Sequence, residues 1–177
     1  MAGSVSFTIS AQDYYQAQRS HHLRALRGRA LWRRSALYGA TTFAVVTLYV
    51  TMVNEDRWLI GVISGVIALI LGVLLLTLAY AIGFATLRRR STTLYDQHVA
   101  LRSPFNFAWD DDGDHWVGAT TQGRTPWRDY LGWAESDTMV LLYLTELLYQ
   151  MVPKRALDTA ALADLRATLD AHGPPRR

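Results

Sequence analysis

The stretch "WLIGVISGVIALILGVLLLTLAYAIGFATL", residues 58–87, decides what kind of fold this chain can adopt. It contains no Asp, Glu, Lys, Arg or His. As a single helix it would be about 45 Å long, whereas the hydrocarbon core of a bilayer is about 30 Å thick. A helix that is apolar on all sides needs lipid or a large protein core around it. The stretch therefore predicts a membrane-spanning helix that tilts or extends into the headgroups.

A second apolar run precedes it, "SALYGATTFAVVTLYVTMV", residues 35–53. At about 1.5 Å per residue it would span about 28 Å, close to the thickness of the hydrocarbon core. The connector "NEDR", residues 54–57, allows only a tight turn. We therefore predict an antiparallel helical hairpin over residues 35–87. The alternative, two buried helices of a soluble bundle, would require apolar flanking segments, and the sequence offers none that could cover both runs.

Lys154 is the only lysine among the 18 lysine and arginine side chains. Basic residues bunch immediately outside the two runs, at Arg24–Arg34 and at Arg88–Arg90. This placement favours lipid headgroups over nucleic acid, for which we predict no binding. By the positive-inside rule both termini are expected in the cytoplasm, with the arginines against an anionic inner leaflet. The predicted membrane-interface residues are Trp32, Arg33, Arg34, Trp58, Arg88, Arg89 and Arg90. The tip of the hairpin carries Glu55 and Asp56 against one arginine.

Two small-xxx-small patterns occur in the second run, Gly61 with Gly65 and Ala79 with Gly83. Such pairs let helix backbones approach closely. They predict either packing of the two helices within one chain or association into a homo-oligomer. Hydroxyl groups on one face of the first run, those of Tyr38, Thr42 and Tyr49, could line a path or simply bond to backbone carbonyls one turn earlier. The absence of an intramembrane charge argues against a transporter.

The segments outside the hairpin show mixed α and β patterns. "VSFTIS", residues 5–10, alternates as a strand does, and Ser10 with Asp13 resembles the start of a helix that leads to the membrane by residue 34. A break in this helix is predicted at Gly28. After Arg90, five strand-like segments are separated by short turns that include "DDDGD" and "TQGRTP", and they predict an antiparallel meander. The segments are "FNFAW", "HWVGATT", "YLGWAES", "TMVLLYL" and "LLYQMV", the last of which ends at Pro153. We interpret as core residues four tryptophans that lack the interleaved basic residues of a nucleic-acid stacking platform, Trp109, Trp116, Trp127 and Trp133. Helical spacing returns after Pro153, with Leu165 and Leu169 in a buried stripe.

With these features in place, the chain resembles the YcxB-like family of bacterial membrane proteins. The resemblance rests on the strand before "SAQDYY", on "PWRDYLGW" at residues 126–133 and on "LLYQMVPKRAL" at residues 147–157. It implies a pleckstrin-homology-like cytoplasmic domain interrupted by a two-helix hairpin, in the bacterial plasma (inner) membrane. The family has no established activity that the resemblance would bring to this chain, and similarity of fold does not transfer a binding site.

The densest polar cluster is "DDDGDH", Asp110 to His115. It lacks the alternating ligands and distal Glu of a calcium loop, so it is interpreted as a solvated hairpin turn, with weak cation binding as the alternative. His21 and His22 are adjacent on a helix and cannot chelate as an i, i+4 pair does. The sequence has no cysteine, no "GxSxG" and no Gly-rich phosphate loop. We therefore expect no metal, no cofactor and no enzymatic activity.

Lys154 and Arg155 stand between the last strand and the last helix. They could contact a headgroup or a partner. The alternative is structural pairing with acids such as Asp129, Asp158 or Asp164, since cations near acids are common and only weakly informative.

Taken together, these patterns predict an α+β membrane protein with a two-helix transmembrane hairpin and a small pleckstrin-homology-like antiparallel sheet capped by a C-terminal helix. Residues 1–34 would form the first strand and leading helix, 35–87 the hairpin, and 88–177 the cytoplasmic domain, joined by strand 5–10. The predicted role is non-enzymatic binding of a protein or of the membrane surface. The alternative is an oligomeric pore or transport-accessory subunit.

Overall fold

The structure is a computed structural model that describes residues 3–54 and 57–176, with the backbone alone for residues 27, 29–31 and 34. It divides into two compact units. One consists of residues 21–87. The other combines residues 1–20 with residues 88–177, so the chain segments on both sides of the hairpin build a single unit.

Three α-helices contribute to the helical unit, and the first and the last of them also contribute residues to the other unit. Helix α1 covers Ala11–Arg27, α2 covers Arg29–Val53 and α3 covers Trp58–Gln97. Gly28 separates α1 from α2 with an extended backbone, at the position where a break was predicted. Both α2 and α3 are longer than their apolar runs, because the flanking arginines are themselves good helix formers. Both are long and apolar enough to cross a membrane, and most of their apolar side chains are exposed.

The predicted close approach of the helices occurs at the first small-residue pair. A Cβ atom on Gly61 would overlap Thr51 Oγ1 of α2, and one on Gly65 would overlap Thr47 Oγ1 and lie 3.0 Å from the Phe43 ring. A Cβ on Gly83 would have open space around it. Gly61 and Gly65 therefore lie against α2, whereas Gly83 has open space beside it and Ala79 is exposed.

Replacing Gly65 by leucine is expected to weaken the packing of α2 on α3 by about 2 kcal/mol, because the larger side chain cannot fit beside Thr47. Cysteines at positions 39 and 69 would report on it, since a Cβ on Gly39 lies 3.1 Å from a Leu69 methyl and the chain has no cysteine of its own. Disulfide formation between them should slow in the Gly65→Leu variant. The matched change Gly83→Leu should leave it unchanged; equal slowing in both variants would contradict this packing.

The second unit contains seven strands in two antiparallel sheets among the described residues. Their bounds are β1 Gly3–Phe7, β2 Phe105–Trp109, β3 Gly113–Val117, β4 Gln122–Pro126, β5 Gly132–Glu135, β6 Met139–Tyr143 and β7 Tyr149–Pro153. One sheet has the order β1-β2-β3-β4 and the other β5-β6-β7. Strand β1 pairs antiparallel with β2, Phe7 opposite Phe105, although the hairpin separates them in sequence.

Three sequence predictions need correction here. The segment "TQGRTP" is not a turn, because Gln122–Pro126 forms β4 and pairs along the whole of β3. The strands form two sheets and not a single meander. The first strand lies at Gly3–Phe7 and not at residues 5–10, because Ser10 is already engaged at the start of α1: its amide and hydroxyl donate to Asp13. Alternation is a weak guide in β4, whose residues are small or polar.

Helix α4, Thr159–Ala171, closes one end of the space between the two sheets. Asp158 caps its first turn by accepting from the Ala161 amide at 2.7 Å. Leu165 and Leu169 are fully buried in the main core, which also contains Trp109, Trp127 and Trp133. These three tryptophans are core residues as predicted, and Trp116, for which the same was predicted, is partly buried against this core.

The opposite face of the β5-β6-β7 sheet is also covered. Ala17 of α1 packs there on Met139, Leu141 and Tyr143. Every residue of β6 is therefore buried, which explains why its sequence is a continuous apolar run and shows no alternation.

Candidate functional site

The end of the β unit that α4 does not cover contains an apolar cavity of about 310 Å³, which we call the end cavity. The two ends of β2 show where the cavity lies. Trp109, the last residue of β2, donates a hydrogen bond to Asp164 of α4, whereas Phe105, the first residue of β2, lines the cavity. The lining residues come from β1–β3, from the segment between β1 and α1, from the 3₁₀ turn Val99–Arg102, and from β7 and the turn before it. They are Phe7, Ile9, Leu101, Phe105, Phe107, Trp116, Leu144, Leu148, Tyr149, Gln150, Met151 and Val152.

The end cavity has a deep apolar part and an exposed apolar rim. Ile9, Phe107 and Val152 are buried, whereas Leu148 is 58 % exposed. Its neighbour Leu147 is 84 % exposed at the tip of the β6–β7 turn. That turn is held in place by hydrogen bonds from the Leu144 and Thr145 amides to the Leu148 carbonyl, at 2.9 and 3.1 Å. The two leucines are therefore presented by an ordered turn.

A cationic cluster surrounds Glu135 at the α4 end of the unit. Its carboxylate pairs with Lys154 at 2.6 Å, with the Arg166 guanidinium through two nitrogens, and with Arg176 at 3.5 Å. The Glu135 side chain is almost completely buried. Hydrogen bonds from Arg166 outweigh burial and lower the pKa of Glu135 to about 2.

The C-terminal residues join this cluster. The Trp133 amide donates to the Pro175 carbonyl at 3.2 Å, and the Arg176 guanidinium lies 4.8 Å from the centre of the Trp133 ring. One carboxylate thus holds together β5, α4, the turn after β7 and the C-terminal tail.

Both candidate contact residues between β7 and α4 are paired with acids. Lys154 pairs with Glu135 and also donates to the Ser136 carbonyl at 3.1 Å. Arg155 binds both carboxylate oxygens of Asp13 and donates to the Thr8 carbonyl at 2.8 Å. The acids named from the sequence, Asp129, Asp158 and Asp164, are not the partners. Asp13 lies 142 positions away along the chain, so no local pattern could have identified it.

The acidic turn divides into an exposed part and a buried residue. The side chain of Asp112 is exposed, and Asp110 accepts from the Asp112 and Gly113 amides at 2.9 Å, which lowers its pKa. Asp114 is fully buried and accepts from the Tyr130 hydroxyl at 2.7 Å. The interpretation as a solvated turn is therefore wrong for Asp114, because burial raises the pKa of this carboxyl to about 6.

In residues 3–54 and 57–176 no group of three acidic or imidazole side chains is arranged to hold a metal ion.

The predicted interface residues lie on the long helices. Trp32 and Trp58 are 69 % and 66 % exposed, and Arg33, Arg88, Arg89 and Arg90 are exposed as well. The side chain of Arg34 lies outside the described residues, as do Glu55 and Asp56 at the predicted tip of the hairpin. Tyr38, Thr42 and Tyr49 of α2 are exposed.

Sequence reasoning missed the end cavity, Glu135 and the buried pair of Asp114 with Tyr130. Asp114 was missed because the sequence predicted a turn there, whereas β3 begins at Gly113 and pairs Asp114 with Thr125. Nothing in the pattern around Glu135 distinguishes it from an ordinary acidic residue at the end of a strand. The end cavity depends on which end of the sheets α4 covers, which has no local signature.

These features define a class: an α+β protein in which two long apolar helices are inserted between the first and second strands of a two-sheet domain. The family model described as YcxB-like protein matches residues 109–169, a segment that runs from the end of β2 through most of α4. The match confirms the resemblance predicted from the sequence. No curated protein and no solved structure matched the chain in the corresponding searches.

Proposed function

We propose that this chain is an integral protein of the bacterial inner membrane, whose pleckstrin-homology-like domain acts as a non-enzymatic binding module at the cytoplasmic surface. The anchor would be the hairpin of residues 35–87. In support, α2 and α3 expose apolar side chains around most of their circumference. Contact of that apolar surface with water would be unfavourable in free energy, whereas contact with lipid would not. The flanking arginines support the cytoplasmic placement of both termini.

A pleckstrin-homology-like fold is supported by the two antiparallel sheets, by the helix that covers one end of their core, and by the family match over this region. The charged groups of the domain support a role other than catalysis. Glu135 and Asp13 are engaged in ion pairs that join distant segments of the chain. Such pairs hold a fold together, and both carboxylates are occupied by cations of the same domain.

The observation that carries the binding role is the end cavity. Small-molecule and side-chain binding sites are typically concave, mostly apolar and about 300–1,000 Å³ in volume. The end cavity has this character, and its rim carries exposed leucines. Isolated exposed leucines are common, but a pair beside an open apolar cavity is typical of an interaction site.

Photo-cross-linking in living bacteria tests the binding role. Benzoylphenylalanine placed at Leu101 or Leu148, on the end cavity, is expected to form adducts with a protein or lipid. The control is Val117, which neighbours the lining residue Trp116 on β3 and points to the other face of the strand. Adducts at all three positions alike, or at none, would contradict a binding role for the cavity. Ion flux that depended on Tyr38 and Tyr49 would instead favour the alternative of an oligomeric pore.

The membrane anchor has its own test. The full chain should remain in the membrane fraction after alkaline carbonate extraction, and its C-terminus should be cleaved by protease only after spheroplasts are opened. Replacing Arg88, Arg89 and Arg90 by glutamate is expected to disturb this orientation, since the basic side chains retain that end on the cytoplasmic side. A chain that stays dispersed in buffer without detergent would refute the anchor.

A further inference from the structure

We propose that the end cavity holds part of an acyl chain of a membrane phospholipid. This inference rests on the proposed membrane anchoring and binding role, and it names the ligand class of the same site.

The lining excludes a charged ligand. No Asp, Glu, Lys, Arg or His lines the end cavity, and Gln150 supplies the only amide side chain. A buried charge without a partner is strongly unfavourable, so the part of a ligand that enters must be uncharged and largely apolar. Rings from Phe7, Phe105 and Phe107 together with aliphatic side chains form a surface suited to hydrocarbon.

The size of the end cavity limits what can enter. Its volume of about 310 Å³ is at the low end for small-molecule sites. It can take one segment of hydrocarbon but not a whole phospholipid, whose headgroup and second chain would remain outside. Arg102 follows the rim residue Leu101, and its side chain is half exposed. Its guanidinium lies 3.8 Å from a carboxylate oxygen of Asp96. A cation in that position is complementary to a headgroup phosphate.

The free energy that favours binding would come mainly from covering apolar surface of the protein. An acyl chain in a bilayer is already out of water, so moving it yields little by itself. The side chains of Leu147 and Leu148 at the rim of the end cavity are exposed to water. Covering them removes that apolar surface from water. The same chain carries two helices long enough to cross a bilayer, which places phospholipid at high local concentration.

The test uses the full-length chain in nanodiscs made with phosphatidylglycerol that carries a diazirine near the end of one acyl chain. After illumination, mass spectrometry of peptides should find label on the peptides that contain Leu101, Phe105 and Leu148, in addition to α3. Leu101→Trp fills the rim and should abolish most of the label in the β unit while leaving that on α3. Leu148→Asp, on the exposed turn, should do the same without disturbing the core. Val117→Trp adds the same bulk outside the cavity and should change nothing.

Label confined to α2 and α3 would overturn the acyl-chain proposal while leaving the anchored protein intact. So would label in the β unit that Leu101→Trp and Leu148→Asp do not reduce, or label obtained only from a free diazirine fatty acid. Absence of label on α3 would show that the chain does not enter the bilayer, and would thereby refute the proposed function together with the inference. A cross-link from position 101 to a protein, with no lipid label, would replace the lipid with a protein partner.

Discussion

Replacing Glu135 by glutamine is expected to lower the free energy of unfolding of the β unit by about 3 kcal/mol at neutral pH. The reason is that one buried carboxylate compensates three cations, of which Lys154 is itself largely buried. Glutamine retains an acceptor oxygen but not the charge, so the Lys154 ammonium would be left in a partly desolvated site without a counter-ion. Removing one partner of such a pair costs far more than removing an exposed one.

Glu135 is also expected to make the stability of the protein fall in acid. Because the pKa of Glu135 is lowered in the folded protein to about 2 from its usual 4.5, its contribution is fully present above pH 4.5 and is lost as the pH falls toward 2. In the Glu135→Gln variant this part of the acid dependence should disappear. The free energy of unfolding, measured by urea titration in detergent from pH 2 to pH 7, would report both effects.

Glu146→Gln is the matched control, because it is the same substitution at an exposed position of the β6–β7 turn. It should alter stability by less than about 0.5 kcal/mol. A Glu135→Gln protein as stable as this control would mean that the cationic cluster does not hold β5, α4 and the C-terminal tail together.

Replacing Asp114 by asparagine is expected to raise the free energy of unfolding at pH 8 by up to about 3 kcal/mol, since a tenfold change in proton affinity corresponds to about 1.4 kcal/mol. Burial raises the pKa of Asp114 to about 6 from its usual 3.8. The folded state therefore binds a proton more tightly than the unfolded state does. Stability from this residue is present below pH 3.8 and declines as the pH rises through 6.

Asparagine suits the site because it keeps the oxygen that accepts from the Tyr130 hydroxyl at 2.7 Å, and it removes the charge that burial disfavours. The two proteins should thus be similar in stability at pH 4 and should differ most above pH 6. Asp112→Asn, in the exposed part of the same turn, is the control and should shift stability by less than about 0.5 kcal/mol at either pH. A destabilised Asp114→Asn variant at pH 8 would show that the fold requires the ionised carboxylate.

Several elements of the fold could be predicted from the sequence because their signals are local. The two apolar runs predicted α2 and α3, the break at Gly28 was read from one residue, and strand β2 lies where "FNFAW" predicted it. The end of β7 at Pro153 followed from the missing amide hydrogen of proline. By contrast, β4 was missed, because "QGRTP" resembles a turn and becomes a strand only through its pairing with β3.

What the sequence by itself determined is the presence of two charge-free helices of membrane-spanning length, a mixed α and β remainder, and the family resemblance. Each depends on neighbouring residues, since helix length, hydropathy and short motifs are written along the chain. Only the tertiary structure decided that Arg155 pairs with Asp13, that three cations converge on Glu135, that Asp114 is buried, and that one end of the sheets stays open. These features arise from contacts between segments far apart in sequence, and the energies of burial and pairing depend on which segments meet.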